Sequence, residues 1–201
     1  MTPQTARRPR QPQAGRAHGT SPYHAAEVSR PFLVVGSRPE VVRGVVLIAH
    51  GGKETSELPA KRWSLALGRM VLFARNLEHA GVEHGLLVAQ LRYRVTGYND
   101  GDPLRDVQWA IEELRREHSA PICLVGHSMG SRASLQAAGA EGVVGVAALA
   151  PWCPPTDPVD QLADRAVMMV HGLKDHITYP RFSHQFALWH VRLPHVCVAL
   201  R

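Results

Sequence analysis

The hydrophobic positions of the chain follow two alternating patterns from residue 32 onward. Short continuous runs of Val, Ile, Leu and Ala predict strands that are buried on both faces. Longer stretches with apolar residues at helical spacing lie between them and predict helices. The predicted strands cover residues 32–35, 41–50, 86–94, 122–127, 143–151, 167–172 and 195–200, and the predicted helices cover 61–80, 103–118, 129–139 and about 180–191.

This alternation predicts an α/β fold, a three-layer α/β/α sandwich around a mostly parallel sheet. In such a fold the reactive groups gather at the carboxyl ends of the strands. The connection 151–165 is too short for more than a turn and a small helix, so we expect no large cap domain and an open cleft. The first long helix is expected to bury one stripe of its apolar residues, Leu65, Met70, Leu72, Phe73 and Leu77.

Composition and charge divide the 201 residues into a tail and one domain. The net charge is +6, and residues 1–30 supply +4 of it through five arginines and one glutamate. This segment has almost no large apolar residue to offset the entropy of ordering it, so we predict a disordered basic tail before an α/β domain at 31–201. Because the rest of the chain is nearly balanced, we do not expect a nucleic-acid-binding face.

The sequence also argues against export, membrane insertion and a bound cofactor. No apolar stretch reaches the roughly 18 residues of a membrane span, and no apolar segment follows the pair Arg7-Arg8, so we expect a cytoplasmic protein. Three cysteines, none in a C-x-x-C pair, favour neither a disulfide framework nor a zinc site. With no phosphate loop or dinucleotide fingerprint, we expect no metal and no cofactor. The oligomeric state cannot be inferred.

The segment Gly126-His127-Ser128-Met129-Gly130 lies between a predicted strand and a predicted helix. Such a G-x-S-x-G turn holds its serine in a strained backbone conformation where strand and helix approach closely, which requires residues without a side chain two positions before and after the serine. The two glycines meet this requirement. The pattern therefore predicts an exposed, reactive serine.

On this turn, and on the segments LIAHGGK (47–53) and VMMVHGLKDHIT (167–178), the chain from residue 31 resembles the α/β-hydrolase family. The resemblance implies that Ser128 is the nucleophile and that the backbone N–H of Met129 is one oxyanion donor. It implies a second donor in the loop after residue 50, which we assign to Gly52, with Gly51 or Lys53 as alternatives. It also implies that Asp175 is the acid that orients a catalytic histidine.

The histidine that the resemblance requires is the point of departure from the family pattern. It should follow the last strand, but only Arg201 follows 195–200, and His195 opens that strand instead. His176 is the weak candidate within the chain, because consecutive side chains seldom let an imidazole reach both Asp175 and Ser128. Two explanations stay open: a truncation or frameshift near the end, which the His- and Trp-rich run 181–201 favours, or a scaffold that lost catalysis.

Three functional hypotheses follow. The first is a serine hydrolase that acts on a small ester or related acyl substrate through an acyl-enzyme on Ser128, impaired by the unplaced histidine, with Trp152 and Tyr98 as candidate substrate-binding walls. The second is a catalytically inactive, hydrolase-like protein that binds a small ligand. The third, based on the basic tail alone, is an accessory protein for nucleic acid or a membrane surface.

Overall fold

A seven-stranded sheet forms the centre of the computed structural model, which describes residues 30–59, 65–189 and 196–200. The predicted tail therefore lies outside the described residues, except for Arg30. The strands are β1 (Phe32–Val35), β2 (Gly44–Ala49), β3 (Leu86–Arg92), β4 (Ile122–His127), β5 (Val143–Leu149), β6 (Ala166–His171) and β7 (Val196–Leu200). The helices are α1 (Leu65–Gly81), α2 (Asp102–Glu117), α3 (Met129–Ala137) and α4 (Pro180–Trp189).

The strands are arranged in the order β1-β3-β2-β4-β5-β6-β7. β1 runs antiparallel to β3, and every other neighbouring pair is parallel. All six residues of the central β2 are buried, as its uninterrupted apolar sequence predicts for a strand covered on both faces. The predicted α/β fold with a mostly parallel sheet is thus confirmed.

The side chains of the sheet pack into two separate cores. On one face Val45 and Leu47 of β2 join a large cluster with buried residues of α2, α3 and α4. On the other face Val46 and Ile48 pack against Met70 and Ala74 of α1. The alternation of side chains along a strand sends successive residues of β2 to opposite cores, which gives the three layers expected from the sequence.

The stripe predicted for α1 is partly wrong. Met70 is buried, and Phe73 and Leu77 pack against the smaller core, but Leu65 is 85% exposed and Leu72 is 64% exposed. The helix meets the sheet through residues at positions 67, 70, 74 and 81 instead, which share one face at 3.6 residues per turn. The preceding positions 60–64 lie outside the described residues.

The connection from β5 to β6 leaves the sheet at its carboxyl edge. Between β5 and β6 the chain makes only a single 3-10 turn, Asp160–Leu162, so no cap domain is inserted there. The strands β2, β4, β5 and β6 all end at this edge, because they are parallel. In the described parts of the chain, no helix combines the length and apolar character needed to cross a bilayer.

Candidate active site

Ser128 occupies a strained turn between β4 and α3. Its backbone adopts φ 53° and ψ −115°, a sparsely populated conformation for a residue with a side chain. The turn is held because the Ser128 N–H donates to the Leu149 carbonyl at 2.9 Å, and its own carbonyl accepts from the N–H groups of Arg132 and Trp152 at 3.2 and 3.4 Å. The serine is partly exposed.

The two glycines of the turn lie where the backbones meet. A Cβ on Gly126 would lie 2.5 Å from the Gly130 carbonyl oxygen and from backbone atoms of Ser131. A Cβ on Gly130 would press on the carbonyl oxygens of Ala49 and His50 at the end of β2. Both positions therefore exclude a side chain, for the reason that the sequence pattern suggested.

The loop after β2 lies directly beside this turn. The position of a Cβ on Gly51 is 3.5 Å from the Ser128 Cβ, and that of a Cβ on Gly52 is 2.5 Å from the Met129 Cε. The Lys53 N–H donates to the Thr96 carbonyl at 2.8 Å, so it is not available to a ligand. Within the described residues, the N–H groups of Gly51 and Gly52 have no backbone partner.

The N-terminus of α3 adds a positive end to the site. Met129 is the first residue of this helix, so its N–H has no partner within the helix and points out of its first turn. The partial positive charge of the helix dipole is concentrated there. The Met129 side chain is buried against the loop at Gly52, so the two backbone segments that carry the candidate oxyanion donors are in contact.

Asp175 lies in the loop after β6, and its carboxylate is held by its own loop. Oδ1 accepts from the N–H groups of Ile177 and Thr178 at 2.8 and 3.1 Å, and Oδ2 accepts from the Thr178 hydroxyl at 2.9 Å. Burial would raise the pKa of Asp175, but these donors and the nearby His171 bring it below its usual value. The side chain is 23% exposed.

His171, at the end of β6, is the imidazole in contact with this carboxylate. Its Nε2 lies 3.4 Å from Asp175 Oδ2 and 3.1 Å from the Thr178 hydroxyl, and its Nδ1 lies 2.6 Å from the Ser183 hydroxyl on α4. Burial lowers the pKa of His171, although Asp175 acts in the opposite direction. Both ring nitrogens are engaged, so His171 anchors Asp175 and cannot serve Ser128 as a base.

Among the described residues, no other histidine completes a triad with Ser128 and Asp175. In the described chain, no side chain hydrogen-bonds to the Ser128 hydroxyl. His176 is exposed and makes no hydrogen bond to Asp175. His195, which was predicted to lie away from the site, falls outside the described residues.

His127 directly precedes Ser128 in the turn. Its Nδ1 is buried without a hydrogen-bond partner, close to the loop at Gly51. Burial and the nearby Arg69 lower the pKa of His127, whereas Asp175 acts to raise it.

A cleft of about 610 Å³ is lined by Arg132 and Trp152, whose N–H groups donate to the Ser128 carbonyl, although Ser128 itself is not part of its lining. The predicted walls Tyr98 and Trp152 both line it, and their rings contact each other edge to face. The guanidinium of Arg132, one turn after Ser128 on α3, lies 3.9 and 4.4 Å from the centres of these two rings. Thr178 lines the same cleft, which joins it to the Asp175 loop.

The sequence reasoning missed the other residues that line the cleft. Four of them, Arg132, Cys153, Tyr179 and Phe182, come from α3, a loop and the start of α4, and only the fold brings them together. The one local signal was the position of Arg132, four residues after Ser128 and hence on the same side of the helix. Burial raises the pKa of the Cys153 thiol to about 12, so this group is a protonated wall and not a nucleophile.

Over residues 30–59, 65–189 and 196–200, no three His, Cys, Asp or Glu side chains are grouped so that they could hold a metal ion. The candidate site is therefore described by its serine, its carboxylate, its backbone N–H groups and the aromatic cleft.

Comparison with known proteins supports the fold. No family model matches the chain, and no curated protein matches it in sequence. Among solved structures, it is similar to an α/β serine hydrolase without a lid from Xanthomonas campestris, with a TM-score of 0.58 and 21% identity over 85% of this chain and 78% of that one. It is also similar to the monoacylglycerol lipase of Paleococcus ferrophilus, with a TM-score of 0.60 and 15% identity over 86% and 88%.

A third similar structure is that of Est1E from Butyrivibrio proteoclasticus with ferulic acid bound, at a TM-score of 0.58 and 12% identity over 85% of each chain. At these identities the likeness concerns the fold. The chain therefore has the α/β-hydrolase fold, as its sequence resemblance implied.

Proposed function

We propose that this protein is a serine hydrolase of small esters or related acyl compounds, in which Ser128 forms an acyl-enzyme. The observation that carries the proposal is the strained, partly exposed serine at φ 53°, between β4 and α3 and beside the glycine loop after β2. A strained backbone at such a turn costs on the order of 1–3 kcal/mol and persists where function requires it. The similarity to several serine hydrolases, including a monoacylglycerol lipase, supports this reading.

In this proposal the Ser128 hydroxyl attacks the acyl carbonyl, and the N–H groups of Met129 and Gly52 stabilise the oxyanion that forms. Loss of one such donor costs on the order of 10²–10³ in rate. Asp175, anchored by His171 and by its own loop, is the negative charge that would balance an imidazolium. The proton of Ser128 must pass to a base, and His176 remains the weak candidate that the chain offers.

A second function, binding of a small ligand without catalysis, is favoured by one observation. Both oxygens of Asp175 are already engaged, by two N–H groups, the Thr178 hydroxyl and His171, and in the described chain no imidazole reaches the Ser128 hydroxyl. A serine without a base is a poor nucleophile at neutral pH.

Labelling with a fluorophosphonate probe, read by mass spectrometry of the intact chain, decides between the two. The hydrolase proposal expects one label on the wild type, none on Ser128→Ala, and release of p-nitrophenol from p-nitrophenyl acetate by the wild type alone. Ser134→Ala is the matched control, because the Ser134 hydroxyl on α3 is buried and has no hydrogen-bond partner. Equal labelling and equal release of p-nitrophenol by the wild type and Ser128→Ala would refute the hydrolase proposal and favour ligand binding without catalysis.

A further inference from the structure

The cleft that Arg132 and Trp152 connect to the Ser128 turn indicates which group of a substrate it accepts, an inference that rests on the proposed function. We infer that the cleft takes an uncharged, planar aromatic group of the ester, and that Glu54 disfavours groups that carry a carboxylate. Two features of the cleft support this inference: the aromatic rings that line it and the ion pairing of its charged residues.

Two aromatic pairs line the cleft. Tyr98 and Trp152 contact each other with ring centres 5.4 Å apart at an angle of 82°, and Tyr179 and Phe182 do so at 6.4 Å and 85°. Tyr98 is 6% exposed, its hydroxyl donates to Gln136 and the Arg132 guanidinium lies over its ring, so it supports Trp152 from behind. The rings that remain accessible in the cleft are those of Trp152, Tyr179 and Phe182. Aromatic rings prefer such edge-to-face neighbours, and a third ring gains the same contacts when it enters.

The volume of the cleft fits a small aromatic compound. Its 610 Å³ lies within the range of about 300–1,000 Å³ that is usual for small-molecule sites. The Tyr179 ring is 46% exposed and the Ile177 side chain 87% exposed, so the wall next to the Asp175 loop is open to an incoming molecule. The cleft therefore has apolar surface available on the side where a substrate would enter.

Arg132 and Glu54 are the charged residues that line the cleft, and Arg181 lies outside this lining with its guanidinium 5.3 and 4.8 Å from the ring centres of Tyr179 and Phe182. The guanidinium of Arg132 is paired with Asp157 through two hydrogen bonds, of 2.6 and 2.7 Å, and both of these side chains are largely buried. Its positive charge is thus already balanced. Glu54 lines the cleft with an exposed side chain that has no ion pair among the described residues. A carboxylate on the substrate would meet this unpaired negative charge.

Three ketones of similar size test the inference without any chemistry at the serine. Acetophenone carries the planar ring, cyclohexyl methyl ketone is its saturated counterpart, and 4-acetylbenzoate adds a carboxylate. Dissociation constants are measured by NMR titration on full-length Ser128→Ala, so that binding is independent of turnover. We expect acetophenone to bind about three- to tenfold more tightly than the saturated ketone, the range of an aromatic pair contact.

Variants locate the binding. Trp152→Leu should weaken acetophenone binding about tenfold. Tyr179→Leu, which changes an exposed ring and spares the core, should weaken it about threefold. Phe32→Leu is the matched control, because Phe32 lies on the edge strand β1 and is 54% exposed outside the cleft. We expect 4-acetylbenzoate to bind up to about fivefold more weakly than acetophenone, and Glu54→Gln to remove that difference.

The outcomes separate this inference from the proposed function. Equal affinities for acetophenone and its saturated counterpart, or an affinity that neither Trp152→Leu nor Tyr179→Leu changes, would overturn it even if Ser128 is labelled by the fluorophosphonate. Aromatic selectivity that depends on Trp152, in a chain whose Ser128 is not labelled, would keep the inference about the cleft and refute the hydrolase.

Discussion

His50 makes the folded state sensitive to acid, and the effect can be worked out from its surroundings. His50 directly follows β2, at the start of the glycine loop, and is 5% exposed. Its Nδ1 lies 2.7 Å from the Gly51 carbonyl oxygen, and its Nε2 is buried without a partner. Burial, reinforced by Arg92 and His127, lowers the pKa of His50 from 6.5 to about 4, despite the opposing hydrogen bond to Gly51.

The sign of the pH dependence follows from this lowered pKa. In the unfolded chain the imidazole binds a proton as the pH falls through 6.5, but in the folded chain it stays neutral until about pH 4. The unfolded state therefore binds more protons in this window, and the free energy of unfolding decreases as the pH falls. At 1.36 kcal/mol per pH unit, the loss attributable to His50 is about 3 kcal/mol between pH 6.5 and pH 4.

His50→Asn tests this value, because an asparagine amide can donate to the Gly51 carbonyl from the place of Nδ1 but does not titrate. Free energies of unfolding in urea, followed by tryptophan fluorescence at half-unit steps from pH 7.5 to 4, are compared with the wild type. His84→Asn, at an exposed position in the 3-10 turn after α1, is the control. Between pH 6.5 and pH 4, we expect the free energy of unfolding of His50→Asn to decrease by about 3 kcal/mol less than that of the wild type and of His84→Asn. The same pH dependence in all three proteins would refute the reasoning.

Two further predictions concern a close contact between backbone segments and a buried, hydrogen-bonded carboxylate. Gly130→Ala should lower the free energy of unfolding in urea by about 1–3 kcal/mol and abolish labelling of Ser128, because the new Cβ presses on the end of β2. The control is Gly68→Ala on α1, where a Cβ enters open space, and it should be neutral or stabilising by up to about 1 kcal/mol. Asp106→Ala should lower the free energy of unfolding by about 1–3 kcal/mol, because it removes the carboxylate that accepts from both the backbone N–H and the guanidinium of Arg94. A decrease below about 0.5 kcal/mol would contradict this prediction.

The order of elements was predictable from the sequence because each strand of the parallel sheet is coded locally. The run at 44–49 is apolar throughout and is buried throughout, so its pattern and its environment agree. The turn at Ser128 was also predictable from a local pattern, because only glycine fits at positions 126 and 130, where a Cβ would clash with nearby backbone atoms. The buried face of α1 was less predictable, because the crossing of helix and sheet decides which of several apolar residues point inward.

Apart from Tyr98 and Trp152, the lining of the cleft could not be predicted, because it depends on contacts between distant parts of the chain. Arg132 stacks on rings at positions 98 and 152 and pairs with Asp157, and no local pattern encodes that meeting. The engagement of Asp175 by His171 was not foreseen either. Four residues separate the two, but they lie at a strand end and in a loop, and α4 supplies the serine that orients the imidazole.

The pairing of β2 with β4 has a consequence for how this site can change. Ala49 is in register with Gly126, so the ladder of main-chain hydrogen bonds continues to the last residues before the glycine loop and the serine turn. The spacing between these two segments is thus fixed by the backbone and does not depend on any side chain in the cleft. The side chains that line the cleft can therefore be exchanged by evolution or by an engineer while the glycine loop and the serine turn keep their relative positions.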